Sequence, residues 1–309
     1  MSGAPFDGRR FRNEDPGAVR GLRDVLRWAL TRRPQAWPKR IENRVQYRPR
    51  QPRPGEILFT FVNHSTFLIQ DASKSVLTDP VWVRRASPVQ WLGPARVREP
   101  GIPFDDLPHV DVVLVSHSHY DHMDLGTLRR LQQRFGSRIV TTRGNKAFLE
   151  RRGLRDVTEL DWWECVDGIT ATPAQHFAAR TPFDRNKTLW AGFSLTLDGR
   201  RVFFTGDSGY STHFARIGAR FGPFDAALVP IGAYEPRWFM SAHHLNPDEA
   251  VRAHLDLRSR LSIAMHFGCF RLTDEGIDEP VRQMARALEH HAVSPSTFRV
   301  LEPGETLAV

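Results

Sequence analysis

The stretch VVLVSHSHYDHMD, from Val112 to Asp124, constrains this chain more than any other. Its first half is a run of β-branched and apolar residues, the texture of a strand buried on both faces. That strand opens directly into three histidines and two aspartates. His117 and His119 are two residues apart at the strand end, so an extended backbone projects both to the same side. Asp121 and His122 continue into the turn before a helix and aim from a different position. Several such groups crowded together destabilise a fold unless something binds them, and the residue types are those of metal ligands. A pair followed by a pair suits two adjacent ions better than one.

Each ion then needs ligands from elsewhere. Three candidates stand at strand termini: His176 in TPAQH, Asp207 in FFTGDSG and His266 in IAMHFG. A strand end that opens into a loop is where α/β folds place their sites. Imidazole and carboxylate donors suit Zn²⁺, with Mn²⁺ or Fe as alternatives. Cys165 and Cys269 are the only cysteines. Both sit in apolar or aromatic surroundings and read as buried, reduced thiols, which leaves no paired thiolates for a structural zinc.

Strand texture begins after Pro52-Arg53-Pro54-Gly55. ILFTFVNHSTFLIQDASKSVLTDP breaks into consecutive strands. A helix from about Asp124 to Phe135 follows the histidine cluster. Then come strand SRIVTT, helix NKAFLERRG, strands at ITATPAQH and LWAGFSLTLDGRRVFFTGD with a hairpin at Asp198-Gly199, and a helix near 211–221. The last third alternates strand DAALVPIG, helix NPDEAVRAHLDL, strand RLSIAMHFG, helix DEPVRQMARALEHH and strand TFRVLEP. Two strand-rich halves with flanking helices predict an α/β fold in which two sheets pack face to face, with helices on both outer sides. The expected domain runs from 56 to 309.

Residues 1–55 differ in kind. They hold fourteen Arg and Lys against five Asp and Glu, so the net charge of +8 belongs to this segment and the remainder is nearly neutral. Val19, Leu22, Leu26 and Leu30 recur at helical spacing, with Arg20, Arg23 and Arg27 off that stripe. Such a helix can lie on an anionic membrane surface, or pack on the main domain with its arginines in water. Whether residues 1–50 are ordered is left open. Basic residues interleaved with aromatics around a cleft are missing, which argues against a nucleic-acid partner. No run approaches the roughly 18 apolar residues of a membrane-spanning helix, and the N-terminus does not read as a secretory signal. The expected location is the cytoplasm, or the inner face of a membrane through peripheral contact.

HSHYDH matches the H-x-H-x-D-H signature of the metallo-β-lactamase superfamily, and His176, Asp207 and His266 follow in that superfamily's order. NHSTFLIQ, LTDPVW, RASP, TGDSGY, PIGAYEPRWFM, NPDEAVRAHLDL and AMHFGCFRLTDE resemble, in sequence order, the blocks of its N-acylphosphatidylethanolamine-hydrolysing phospholipase D branch. The resemblance spans about Val62 to Glu275 and implies the αββα four-layer sandwich with two mixed sheets. By position it assigns one zinc to His117, His119 and His176, and a second to Asp121, His122 and His266, with Asp207 bridging. A metal-bridging hydroxide would then attack phosphorus. The same resemblance places Asp121 and His244 among the catalytic residues, His244 contacting the substrate phosphate or protonating the leaving alkoxide, although its neighbour His243 competes for that part.

YEPRWFM should overhang the site, with Arg237 toward a phosphate and Trp238, Phe239 and Met240 toward acyl chains. The implied substrate is a phospholipid or a related small phosphodiester. A lactonase or sugar-phosphate hydrolase on the same scaffold is the first alternative. A nuclease or nucleic-acid-binding protein using the basic arm is the second, and an oligomer is left open.

Overall fold

The computed structural model describes residues 2–15 and 21–309. Its strands are β1 (Leu58–Asn63), β2 (Thr66–Gln70), β3 (Ser75–Thr78), β4 (Val112–Val115), β5 (Arg138–Thr142), β6 (Val157–Leu160), β7 (Cys165–Val166), β8 (Ile169–Thr172), β9 (Gly192–Leu197), β10 (Arg200–Phe204), β11 (Ala226–Pro230), β12 (Ser262–Met265), β13 (Phe298–Arg299) and β14 (Thr306–Ala308). They form two seven-stranded sheets, ordered β14-β1-β2-β3-β4-β5-β6 and β13-β12-β11-β10-β9-β8-β7. Each sheet is mixed. In the first, β14 through β3 pair antiparallel and β3 through β6 parallel. In the second, β7 through β10 are antiparallel and β10 through β13 parallel.

The layering follows from strand alternation. Along β4, Val112 and Leu114 face the space between the sheets, where they join Phe59, Phe61, Phe193, Phe204 and Leu228. Val113 and Val115 face outward with Ile139. There α2 (Leu125–Phe135) and α3 (Lys146–Glu150) cover them through Leu128, Leu131 and Leu149. On the opposite side α4 (His213–Phe221), α6 (Pro247–Asp256) and α7 (Glu279–His290) bury Phe214, Ile217, Val251 and Met284 against Phe203, Ala227 and Val229. A parallel strand buried on both faces reads as a continuous apolar run for this reason. The result is the four-layer αββα sandwich.

Local signals set the element ends near the site. Asp124 caps α2 by accepting from the backbone N–H groups of Gly126 and Thr127, and Gly136 closes it at φ 69°. Asn246 and Glu249 form a capping box on α6. Asp198 and Gly199 both take positive φ, turning β9 into β10 with Leu197 opposite Arg200.

The structure adds elements that local pattern did not show. VTEL forms β6, an edge strand whose only partner among the described residues is β5. Thr306–Ala308 returns from the far C-terminus to pair with β1, Ala308 opposite Leu58. Part of YEPRWFM is a short helix, α5 (Arg237–Met240). Cys165 corrects an expectation: both thiols are free, but Cys165 stands exposed on the edge strand β7 and only Cys269 is buried. A two-residue edge strand has no second neighbour to cover it.

The basic helix is α1 (Leu22–Thr31), and Val19 lies outside the described residues. It meets the domain through Trp28, whose ring stacks on Phe239 at 5.2 Å between centroids. Arg27 sits 4.7 Å from the Trp238 ring centroid and Arg32 pairs with Asp274 at 3.2 Å. Leu26 and Leu30 point away, 54% and 85% exposed. The arginines and the tryptophan make the contact, and these two leucines of the apolar stripe face outward.

Candidate metal centre

The expected ligands converge at the mouth between the sheets. His117 and His119 leave the end of β4, and Asp121 and His122 follow in the turn before α2. His176 lies in the loop after β8, Asp207 just beyond β10 and His266 just beyond β12. Two glycines permit the approach. A Cβ on Gly206 would stand 2.8 Å from the Ser116 side chain, and one on Gly232 only 2.2 Å from the His266 carbonyl. The loops carrying Asp207, His117 and His266 can close only where that atom is missing.

Two groups result. In the first, His117 Nε2 lies 2.8 Å from His119 Nδ1, and His176 Nε2 3.3 Å from the same atom. In the second, Asp121 Oδ2 lies 3.5 Å from His122 Nε2 and 3.6 Å from His266 Nε2. Asp207 Oδ2 stands between them: 3.1 Å from both His122 Nε2 and His266 Nε2, and 3.8 Å from His176 Nε2. His122 Nε2, His266 Nε2 and the other oxygen of Asp207, Oδ1, are all buried without a well-aligned hydrogen-bond partner. Buried donor atoms crowd here within 4.8 Å of one another, as donors around a cation do. The residues present therefore fit a metal: ring nitrogens and carboxylate oxygens in two sets, each spanning less than 4.8 Å.

The opposite edges of the rings are anchored, which fixes where the facing nitrogens stand. Asp79 Oδ2 accepts from His122 Nδ1 at 2.6 Å and from the Ser116 hydroxyl at 2.6 Å. With its one proton committed, Ser116 Oγ accepts from His117 Nδ1 at 2.9 Å. Asp79 thus orients a ligand in each group. His176 Nδ1 donates to the His243 carbonyl at 2.9 Å. Arg180 braces the loop itself, donating to the carbonyls of Ser118 and Met123 at 2.8 and 2.9 Å while stacking on Tyr120.

Electrostatics follow from burial and crowding. Burial alone would raise Asp207 and Asp121, but His122 and its neighbours outweigh it and hold both carboxylates well below their usual range. His117 and His176 are pushed well below an ordinary imidazole, first by burial and then, for His117, by the surrounding rings. Burial opposes charge on His122 and His266 too, but Asp207 and Asp121 prevail: His122 rises well above the usual value and His266 to about 9. The ring-only group stays neutral, and the charged groups, carboxylates and imidazoliums together, gather in the other.

The structure brings His244 and not His243 to this centre. His244 Nδ1 is 3.9 Å from Asp207 Oδ2 and its ring lies 5.0 Å from His176. His243 is buried beside Phe177 and serves the centre through its carbonyl. Arg237 corrects the expectation of a phosphate contact. Its Nη2 donates to both Glu249 oxygens at 2.9 and 2.8 Å and its Nη1 to the His244 carbonyl at 3.0 Å. Both terminal nitrogens of the guanidinium are thus engaged, and they hold the His244 turn against α6. Trp238, Phe239 and Met240 form α5 beneath α1, with Met240 buried and its carbonyl accepting from the N–H groups of His243 and His244.

Sequence reasoning missed Asp79 and His64. His64 Nε2 stands 3.2 Å from Asp121 Oδ2, and its carbonyl accepts from His266 N–H at 2.7 Å. His64, Asp79 and His266 all hold positive φ, a strained region for side chains of this size that clusters at functional sites. The signal was available: both NHS and LTDP end strands, as the expected ligands do.

The sandwich and its histidine- and aspartate-lined mouth define a class, that of the metal-dependent hydrolases with this fold. A family model described as a beta-lactamase superfamily domain matches residues 74–267. The N-acyl-phosphatidylethanolamine-hydrolyzing phospholipase D 1 of Caenorhabditis elegans is 38% identical over 80% of this chain and 74% of its own length. The mitochondrial enzyme of the same description from Saccharomyces cerevisiae is 35% identical over 69% of this chain and 48% of its own. Among solved structures, the metallo hydrolase Igni18 of Ignicoccus hospitalis superposes with a TM-score of 0.62 at 21% identity, covering 82% of this chain and 98% of that one, a likeness of fold. The chain belongs to the beta-lactamase superfamily, in its branch of N-acylphosphatidylethanolamine-hydrolysing phospholipase D-like proteins, and is an enzyme of the metallo-hydrolase kind.

Proposed function

We propose that this chain is a binuclear, zinc-dependent phosphodiesterase of phospholipase D type acting on N-acylphosphatidylethanolamine or a related phospholipid. The observation that carries the reading is the position of Asp207 Oδ2, within 3.1–3.8 Å of ring nitrogens from both groups, where one carboxylate can serve two ions. His117, His119 and His176 would hold one ion, and Asp121, His122 and His266 the other, with Mn²⁺ or Fe as possible occupants. When bound, the metals supply water activation near neutral pH and neutralise charge on a phosphodiester in displacement.

The chain's own groups do the rest. Burial first, then His266 and His243, hold His244 down to about 3, so its neutral ring donates a hydrogen bond to a phosphate oxygen or to the leaving alkoxide. In the reaction a water oxygen bonds to phosphorus as the bond to the ethanolamine oxygen breaks, giving phosphatidic acid and the N-acylethanolamine. Trp238 and Phe239, beside the His244 turn and beneath α1, offer apolar surface for acyl chains. The outward leucines of α1 support peripheral contact with a membrane surface. None of the described helices is long and apolar enough to cross one.

The test is mass-spectrometric detection of phosphatidic acid from mixed micelles of N-acylphosphatidylethanolamine. Zinc-loaded protein should release it and His117→Ala should not. His244→Ala should keep both metals and lose about 10²–10³-fold in turnover, the usual worth of one hydrogen-bond donor aimed at developing charge. No release from protein holding two metals would move the reading to a lactone or a small soluble phosphodiester.

A further inference from the structure

We infer that Asn13 is a positioning residue for the first metal group: the N-terminal strap, residues 2–15, completes the centre by holding the backbone of His176. The inference rests on the two-metal reading above. His176 lies in the long loop between β8 and β9, where no strand pairs with it, and among the described residues its backbone makes no hydrogen bond to other backbone. Asn13 supplies both partners from its side chain. Its Oδ1 accepts from His176 N–H at 3.1 Å, and its Nδ2 donates to the His176 carbonyl at 2.9 Å. This reproduces with one amide the pair of bonds that a neighbouring strand would make. Oδ1 also accepts from the indole N–H of the buried Trp190 at 3.0 Å, which fixes the orientation of the amide.

The strap is itself well anchored. Phe11 is buried and its N–H donates to the Asn186 carbonyl at 2.8 Å. Ala4 N–H donates to Asp161 Oδ1 at 2.9 Å, and Gln175, next to His176, donates to the Asp15 carbonyl at 2.9 Å. The imidazole of His176 is steered by its bond to the His243 carbonyl, but that bond fixes ring orientation and leaves the main chain unplaced. Asn13 bonds the main chain of His176 itself, one residue beyond Gln175, whose backbone is held by the Ser208 hydroxyl and the Gly209 N–H. The strap lies outside residues 74–267, so a segment beyond the matched domain sets the position of a ligand within it. Groups that orient a ligand in this way are typically worth 10–100-fold in metal affinity.

The experiment compares the full chain with Asn13→Ala, Asn13→Asp and Arg12→Ala. The last removes an exposed side chain whose ion-pair partner is Asp7. Zinc per chain is measured by mass spectrometry, both affinities by chelator competition, the Co²⁺ form by its visible spectrum and the metal-free protein by thermal melting. Asn13→Ala should weaken one of two sites about 10–100-fold, alter the Co²⁺ spectrum and leave the metal-free melting temperature close to that of the parent. Asn13→Asp, which keeps the acceptor and loses the donor, should fall between them, and Arg12→Ala should match the parent. Two unchanged affinities in Asn13→Ala would overturn the inference. So would an equal loss at both sites alongside a lower metal-free melting temperature, which is general destabilisation. A parent chain that takes up only one zinc would remove the two-metal reading, and the inference would then stand or fall on that single affinity.

Discussion

The two halves of the centre are made of different donors and held by different means. The first is three neutral rings, His117, His119 and His176, brought together from the β4 end and one long loop. The second mixes two rings with Asp121, takes a third ring, His64, against that carboxylate, and gathers the charged groups. One half is supported by backbone and amide contacts from the periphery, the other by charged and strained residues beneath it. Neutral rings need only be aimed. A buried carboxylate must also be compensated, since an unpaired charge in that setting costs several kcal/mol. Asp207 and Asp79 join the halves, the first between the facing nitrogens and the second behind the rings.

That contrast can be broken or sharpened. The largest effect should come from Asp207→Ala, because Oδ2 is the one atom placed between both groups. Both metals should be lost together and turnover should fall by more than about 1000-fold, equivalent to some 4 kcal/mol of barrier. Retention of one tightly bound metal would show that the halves are independent. Next in size, His64→Ala should weaken the carboxylate-containing site by about 10–100-fold and spare the ring-only site, the mirror image of Asn13→Ala. Equal losses at the two sites, read by chelator competition, would erase the distinction.

The smallest effect is one of pH on stability, next to the shared carboxylate. His213 is buried against Ser208, with its Nε2 3.1 Å from the hydroxyl. Burial, helped by Arg216, holds it down to about 3, whereas an unfolded histidine titrates near 6.5. Between those values the unfolded chain binds the extra proton. The contribution is complete above about pH 6.5 and is lost as pH falls toward 3, by at most about 1.4 kcal/mol per pH unit. His213→Asn should therefore flatten the acid limb of a stability–pH curve relative to the parent. An identical slope in both proteins would show that His213 does not titrate on unfolding.

Much of the fold was legible because it is local. Alternation and β-branched runs mark β4, β9 and β10, and Asp124, Gly136 and the Asn246–Glu249 box punctuate the helices. β14 was not legible, since three residues near the C-terminus become a strand only when β1 offers an edge. Arg237 misled for a related reason: an arginine beside an expected phosphate site looks free until Glu249, twelve residues away, is seen to occupy it.

By itself the sequence pointed to the candidate donors. His117, His119, Asp121 and His122 fall within six residues, so strand and turn geometry alone commit them to one place, and His176, Asp207 and His266 each announce themselves at a strand end. Tertiary structure decided how those donors are held and which neighbours count. His64 reaches Asp121 across 57 positions, Asp79 reaches His122 across 43 and Asn13 reaches His176 across 163. It also chose His244 over His243, because the direction of a side chain in a turn depends on what packs behind it. Spacing along a chain reports what neighbouring residues can do together. Contacts between distant segments are set only when the two sheets close and bring their loop ends to one mouth.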